Sequence, residues 1–322
     1  MPPMFDASQN PENGARRTAC AAVLRWFDTS ATTPATGPDA DRVDLLRVLP
    51  FVALHLGCIA IAWVGVSTTA VVVAAVLYAL RMFAITGFYH RYFSHKSFRT
   101  SRALQFAFAV VGAASVQRGP LWWAAHHRHH HLHADTPQDA HSPRQGFWRS
   151  HMGWFLTPRH FATNHAVIPD LVRFPELRLL DRFDILVPVL LAIGLYGAGA
   201  WLGTHAPQLR TSGPQLLVWG FFVSTVVLFH VTVTINSLAH RWGGRRYSTP
   251  DDSRNNWILA LLTFGEGWHN NHHHYPGSVR QGVKWWELDL TWYALKVLSW
   301  MGLVWDLRGV PASMRGARLA RQ

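Results

Sequence analysis

Residues 45–95 read LLRVLPFVALHLGCIAIAWVG, VSTT, AVVVAAVLYALRMFAITGFY and HRYFSH in succession, and this stretch decides the fold. A helix needs roughly 20 mostly apolar residues to cross a bilayer. Residues 45–65 and 70–89 each qualify, and only Val66-Ser67-Thr68-Thr69 separates them. The two must therefore turn back as a tight helical hairpin. The second ends on a pair of histidines, His90 and His95. Further along, residues 184–201 and 216–235 repeat the pattern, and the Gly- and Pro-containing stretch 203–214 reads as the loop between them.

Working outward, charge sets orientation. Of the 30 Lys and Arg residues, segment 90–183 carries 12, segment 241–322 carries 11 and residues 1–44 carry four. The 66–69 turn carries none, and the 204–213 loop carries only Arg210. The positive-inside rule places both termini and segment 90–183 in the cytoplasm. The net charge of +12 is then mostly topology, and no nucleic-acid module accompanies it. Charged residues make up only 15% of the chain, against roughly 25% in ordinary soluble domains. The expectation is an all-α integral membrane protein: four spans in two hairpins under a helical cytosolic cap. Its membrane domain covers residues 43–308, after a flexible polar lead-in (1–42) and before a basic tail (309–322). No secretory signal is read near Met1. Cys20 and Cys58 are too few for a disulfide scaffold or an iron–sulfur site.

Twenty histidines are the anomaly, and they cluster. His90 and His95 form HxxxxH. His127, His130 and His131 form HxxHH, as do His269, His272 and His273. Asn236 and His240 form NxxxH at the end of the fourth span. On a helix, positions i, i+3 and i+4 share a face, so each HxxHH points three imidazoles one way. HxxxxH is looser, and one member is expected where the helix ends or bends. All four clusters fall on the cytoplasmic side. Nine imidazoles exceed what one ion can use, whereas two ions with four or five ligands each would use them all. Imidazole suits iron, zinc, copper and nickel alike. A sticky His-rich tract is the ordinary alternative for any one cluster. His126, His129 and His274 sit beside the periodic positions and read as supporting or incidental. His55 and His230 lie inside spans, where hydrogen bonding within the bundle is expected.

With these boxes in view, the sequence resembles the membrane fatty acyl desaturases of the stearoyl-CoA type, especially their bacterial branch. HRYFSH at 90–95, WWAAHHRHHH at 122–131, DAHSP at 139–143, GFWRSHMGW at 146–154, NSLAH at 236–240 and GEGWHNNHHHYP at 265–276 carry the resemblance. It implies a di-iron centre held by the nine box histidines, with Asn236 approaching one iron through a water. O2 would be the co-substrate, and the product a cis double bond, delta-9 by family default, in a saturated long-chain acyl thioester. Gln117 and Trp123 would line the acyl tunnel. The family's eukaryotic members carry a basic and an acidic residue where Ala125 and His126 stand here. That departure leaves acyl-CoA, acyl carrier protein and lipid ester all open as acyl donors.

Arg178 and Arg182 are candidates for phosphate contacts, or else ordinary positive-inside charges. Asp135, Asp139 and Glu266 are candidates to orient imidazoles through the other ring nitrogen, or else solvated or capping acids. The chain has no haem motif and no cluster cysteines, so electrons would come from a separate ferredoxin-type or cytochrome b5-like donor with its reductase. The location expected is the bacterial inner membrane, with the site facing the cytoplasm. The rival readings are a His-box hydroxylase or ketolase and, from another class, a metal transporter. A transporter would place ionisable residues deep in several spans.

Overall fold

The computed structural model describes residues 23–32 and 35–311. The outer parts of the lead-in and of the basic tail, and Cys20, lie outside the described residues. Four helical stretches are long and apolar enough to span a membrane: Pro38–Val64, Thr68–Ser94, Leu186–His205 and Gly213–Ser237. They pair as two hairpins. Span one is α-helical from Leu45, with one 3-10 turn at Cys58–Ala60, and is capped by Asp44, whose carboxylate accepts the Arg47 N–H. Gly65 adopts a φ of 64° and ends it. Ser67 then caps span two by accepting from the Ala70 N–H, so Thr68 and Thr69 already belong to the second helix. The sequence turn of four residues is shorter in the fold because a hydroxyl cap satisfies the open N–H groups one turn earlier.

The two turns are tied together on the side away from the histidines. Ser67 Oγ donates to Gln215 Oε1 (2.7 Å), Gln215 Nε2 donates to the Val64 carbonyl (3.0 Å), and Trp219 Nε1 donates to the Gly65 carbonyl (2.8 Å). Spans two and four form the inner pair. Their most apolar windows are 39% and 50% buried, against 11% for spans one and three, which leave most of their apolar surface bare for lipid. Arg81 pins the inner pair. It is buried in span two and donates to Thr225 Oγ1 and Ser224 Oγ of span four and to the Ala114 carbonyl.

The cap consists of short helices between spans two and three and after span four, the longest being Pro120–His133. A core of Ile85, Phe88, Tyr89, Phe93, Leu121, Ile168 and Leu177 joins the end of span two to this cap. Strand is confined, among the described residues, to one antiparallel pair, Arg99–Thr100 with Val304–Trp305. It draws the C-terminal segment back against the end of span two. The described part of the lead-in is laid across the cap. Asp28 pairs with Arg182 (2.7 Å), Thr29 Oγ1 donates to the Asp181 carbonyl (2.9 Å), and Trp26 Nε1 donates to the Leu46 carbonyl (3.1 Å).

Candidate metal centre and acyl cavity

Span two does not stop at its apolar end. From Ala84 to Ser94 it continues as a π-helix, in which each N–H reaches back five residues. His95, at its C-cap, donates its N–H to the His90 carbonyl (3.2 Å). Positions five apart are brought onto one face, and the two ring Nε2 atoms lie 3.1 Å apart. HxxxxH is thus a π-spacing, with its second member at the helix end.

The Pro120–His133 helix starts with Pro at its first position, and Asp181 accepts the free Trp122 N–H (2.7 Å). The helix His269–His274 has only six residues and cannot hold itself. Asn270 and Asn271, both buried, hold it. Asn270 Oδ1 accepts the N–H groups of Arg246 and Tyr247, and Asn271 Nδ2 donates to Glu287 and to the Gln281 carbonyl. Just ahead of it, Gly265 takes a φ of 125°, and a Cβ there would lie 2.5 Å from Asp289. Only glycine fits this turn, which aims Glu266 inward.

These elements gather the nine box histidines into two groups. His90, His95, His127, His131 and His272 form one; His130, His240, His269 and His273 form the other. Within each, the ligand-capable atoms lie within 4.8 Å of one another. In the first, His95 Nε2 is 2.8 Å from His127 Nε2, and His272 Nε2 is 3.0 Å from both His90 and His131. In the second, His240 and His269 face each other at 3.1 Å. Each HxxHH helix divides its histidines between the groups, rather than aiming all three at one point. The i, i+4 pair of one helix meets the i+3 member of the other.

Four imidazoles are held from behind through Nδ1. Glu266 takes His90 (2.6 Å), Asp139 takes His130 (3.0 Å), Asp135 takes His240 (2.7 Å) and Asp251 takes His273 (2.9 Å). Asp251 is the acid that sequence reasoning missed. It belongs to no box, and no spacing links it to His273. Glu266 is itself anchored by Arg91 and Gln281. Burial raises its pKa, but His90 and Arg91 outweigh that and hold it at about 2.

With Nδ1–H committed to a carboxylate, Nε2 presents a lone pair to the centre. Protonation does not relieve the crowding. Burial first, and neighbouring imidazoles second, push His95, His127, His131, His269 and His272 well below the ordinary histidine range. Buried His272 Nδ1, His269 Nδ1 and His273 Nε2 lack a hydrogen-bond partner. Neutral, oriented, converging imidazoles are the state that binds metal. The donor set fits two cations.

Beside this centre runs a cavity of about 530 Å³. His127 and Asn236 line it, together with the apolar Phe221, Phe222 and Ile193 and the cations Arg25, Arg47 and Arg118. Gln117 and Trp123 both border it. Gln117 Nε2 donates to Thr232 Oγ1 (3.2 Å), and Trp123 stacks on His127 (centroids 5.0 Å). Arg178 and Arg182 are not among its lining residues. Arg178 is exposed, and Arg182 is engaged with Asp28. The cations that line it come instead from the lead-in, span one and the loop before the second histidine box. Long-range folding puts them there, and no local motif marks them.

His55 and His230 bond to each other (3.0 Å), and His230 passes on to His151 (3.0 Å), which reaches Ser237 Oγ (2.9 Å). His55 and His230, inside the spans, are thus used up in this relay, as intramembrane polar groups generally are.

A model of the fatty acid desaturase family matches residues 67–303. The chain is 40% identical over 237 residues to the chloroplastic palmitoyl-monogalactosyldiacylglycerol delta-7 desaturase of Arabidopsis thaliana, covering 72% of this chain and 60% of that one. It is 36% identical over 277 residues to the sn-1 stearoyl-lipid 9-desaturase of Anabaena variabilis, covering 83% and 94%. It is 37% identical over 224 residues to the icosanoyl-CoA 5-desaturase of Limnanthes douglasii, covering 68% and 59%. The chain thus spans less than two thirds of the two plant enzymes and nearly all of the Anabaena one. Four membrane-length apolar helices, two histidine groups beside an apolar cavity and a family match over most of the length lead to one conclusion: this integral membrane protein belongs to the fatty acid desaturase family.

Proposed function

We propose that this chain is a fatty acyl desaturase that uses O2 and two iron ions to place a cis double bond, at the delta-9 position, in a saturated long-chain acyl group. The observation that carries the reading is the pair of imidazole groups, one of whose members, His127, lines a mostly apolar cavity. Bound iron with O2 would supply the oxidising power to take hydrogen from an unactivated methylene, which no side chain can supply. The nine box histidines would hold the ions, with Asn236 at the cavity wall beside them.

The chain's own work is positioning. Asp135, Asp139, Asp251 and Glu266 fix imidazole tautomer and angle before any ion arrives. The cavity holds the acyl chain extended beside His127 and excludes bulk water. Gln117 and Thr232, bonded to each other, both line the cavity. They constrain the path of the chain there, and so which carbons pass the metal centre. Overall, two hydrogens leave the acyl chain while O2, two electrons and two protons become two waters.

The electrons would come from a separate ferredoxin-type or cytochrome b5-like protein with its reductase, docking on the basic cap. The site would face the cytoplasm of the bacterial inner membrane. The acyl donor would be an acyl-CoA or an acyl lipid, the classes named for the relatives, or another acyl thioester.

The test is expression in a host of known fatty-acid profile beside a His127→Ala control, with double-bond localisation by mass spectrometry. A new cis-monoene made only by the intact chain supports the proposal and gives its position. A hydroxy acid or ketone would reassign the chemistry. No new product from iron-loaded protein with a working donor would sink the proposal.

A further inference from the structure

The two metal-ligating groups use nine of the chain's 20 histidines. Five of the others, His126, His129, His133, His141 and His160, collect along the other side of the Pro120–His133 helix. At 3.6 residues per turn, Trp122, His126, His129 and His133 fall in one strip of that helix about 60° wide. His127 and His131 fall on the opposite side, and His130 lies between. His129 and His133 stand one turn apart near the helix end, half-buried, with ring centres 4.6 Å apart. Among the described residues, neither ring takes part in a hydrogen bond or an ion pair. Two helical histidines at i and i+4 make a two-point chelate, and imidazole suits iron, zinc, copper and nickel.

The strip leads inward. His126, one turn before His129, has its ring 5.7 Å from that of His160. Trp154 lies against both and against His141, with ring centres 5.3, 5.6 and 5.2 Å away. His126 Nε2, His160 Nε2 and His141 Nδ1 are buried without a hydrogen-bond partner. Unpaired buried polar atoms are costly, and three around one indole mark a path that something polar takes. The path ends at the metal centre. His141 Nδ1 lies 3.7 Å from Asp139, too far for a hydrogen bond. The ligand-capable atoms of His130, Asp139 and His141 lie within 4.8 Å of one another, and His130 is also a member of the second histidine group. That group is closed to solvent: His130, His240 and His269 are at most 3% exposed. Its ion has to be handed in.

We infer that His129 and His133 form a metal-capture site, from which iron(II) passes inward by His126, His160 and His141 to His130. Each step exchanges one imidazole or water ligand for the next, with no change in the oxidation state of the ion. The inference rests on reading the nine box histidines as ligands of two iron ions.

The experiment uses the purified full-length chain in detergent, freed of metal by a chelator and given limiting iron(II) without oxygen. Native mass spectrometry follows metal content over time. The double variant His129→Gln, His133→Gln should load tenfold or more slowly, yet reach two ions under excess iron. His160→Gln should slow loading likewise, and the exposed control His165→Gln should load as the intact chain does. Calorimetry on the iron-loaded intact chain should show one further site for nickel(II), lost in the double variant and kept in His160→Gln. Loading of the double variant at the intact rate would put entry elsewhere, such as the acyl cavity, and overturn the inference. So would unslowed His160→Gln, absence of the nickel site, equal slowing in the control, or a lower final content under excess iron, which would make the residues structural. If the intact chain takes up no iron, the metal-centre reading falls too. If it takes up two ions and the variants match it, this inference alone falls.

Discussion

Asp251 shows what a carboxylate behind an imidazole is worth. It fixes His273 from a stretch of chain that contains no histidine box, and its replacement leaves every proposed ligand in place. Asp251→Asn is expected to weaken iron retention by roughly 10- to 100-fold, the usual cost of losing such a partner, with folding unchanged. Iron content after graded chelator challenge measures it, and undiminished retention would remove Asp251 from the site. His151 offers a test by pH. Burial first, and His230 second, lower its pKa from 6.5 to about 4. The unfolded chain therefore binds more protons than the folded one between those values. His151 contributes stability that is present above pH 6.5 and lost as pH falls towards 4. In His151→Gln, the melting temperature should depend less steeply on pH across that window. An unaltered slope would show that His151 does not titrate as described.

Helix geometry explains which parts of the site were legible in the sequence. One turn of an α-helix takes about 3.6 residues, so i+3 and i+4 fall on opposite sides of the line through i. Reading His127, His130 and His131 as one face was sound for a single target. With two targets side by side, the same spacing sends His130 one way and His127 with His131 the other. HxxxxH was legible as a pair but not as a π-helix, because nothing in the side chains of 84–94 marks a slipped hydrogen-bond ladder. The spans were placed to within a few residues by hydropathy, since lipid imposes their length. The cationic part of the cavity lining was not legible, because it joins residues 25, 47 and 118 only through tertiary contacts.

Span one also carries a test of the cavity's depth. A Cβ at Gly57 would lie 2.3 Å from the Phe222 ring, which lines the cavity. Gly57→Ala should push that ring into the cavity and shift products towards shorter acyl chains, by severalfold in the ratio of shorter to longer monoene. An unchanged ratio in the product profile would place the end of the chain elsewhere.

For the molecule as a whole, the two hairpins put turns on one side of the membrane and every histidine box on the other. With Cys20 and Cys58 replaced by serine, Val66→Cys should react with a membrane-impermeant maleimide in intact cells, and Arg144→Cys only after permeabilisation. The reverse pattern would invert the proposed orientation. The buried Arg81 holds spans two and four together through two hydroxyl groups, and reaches the cap through the Ala114 carbonyl. Arg81→Met takes the donor from Thr225 Oγ1 and the Ala114 carbonyl, while Ser224 keeps its bond to the Ala74 carbonyl, and should cost a few kcal/mol, read as a lower melting temperature in detergent. An unchanged melting temperature would show that the inner pair is held by packing alone.

The division of each HxxHH helix between the two histidine groups makes the groups interdependent. An ion captured by either group immobilises both helices, and with them histidines belonging to its neighbour. The ordering entropy is spent once, at the first capture, and the second proceeds on a scaffold already stiffened. Filling should therefore be cooperative. Native mass spectrometry during iron titration would then show empty and doubly loaded protein with little of the singly loaded form between them.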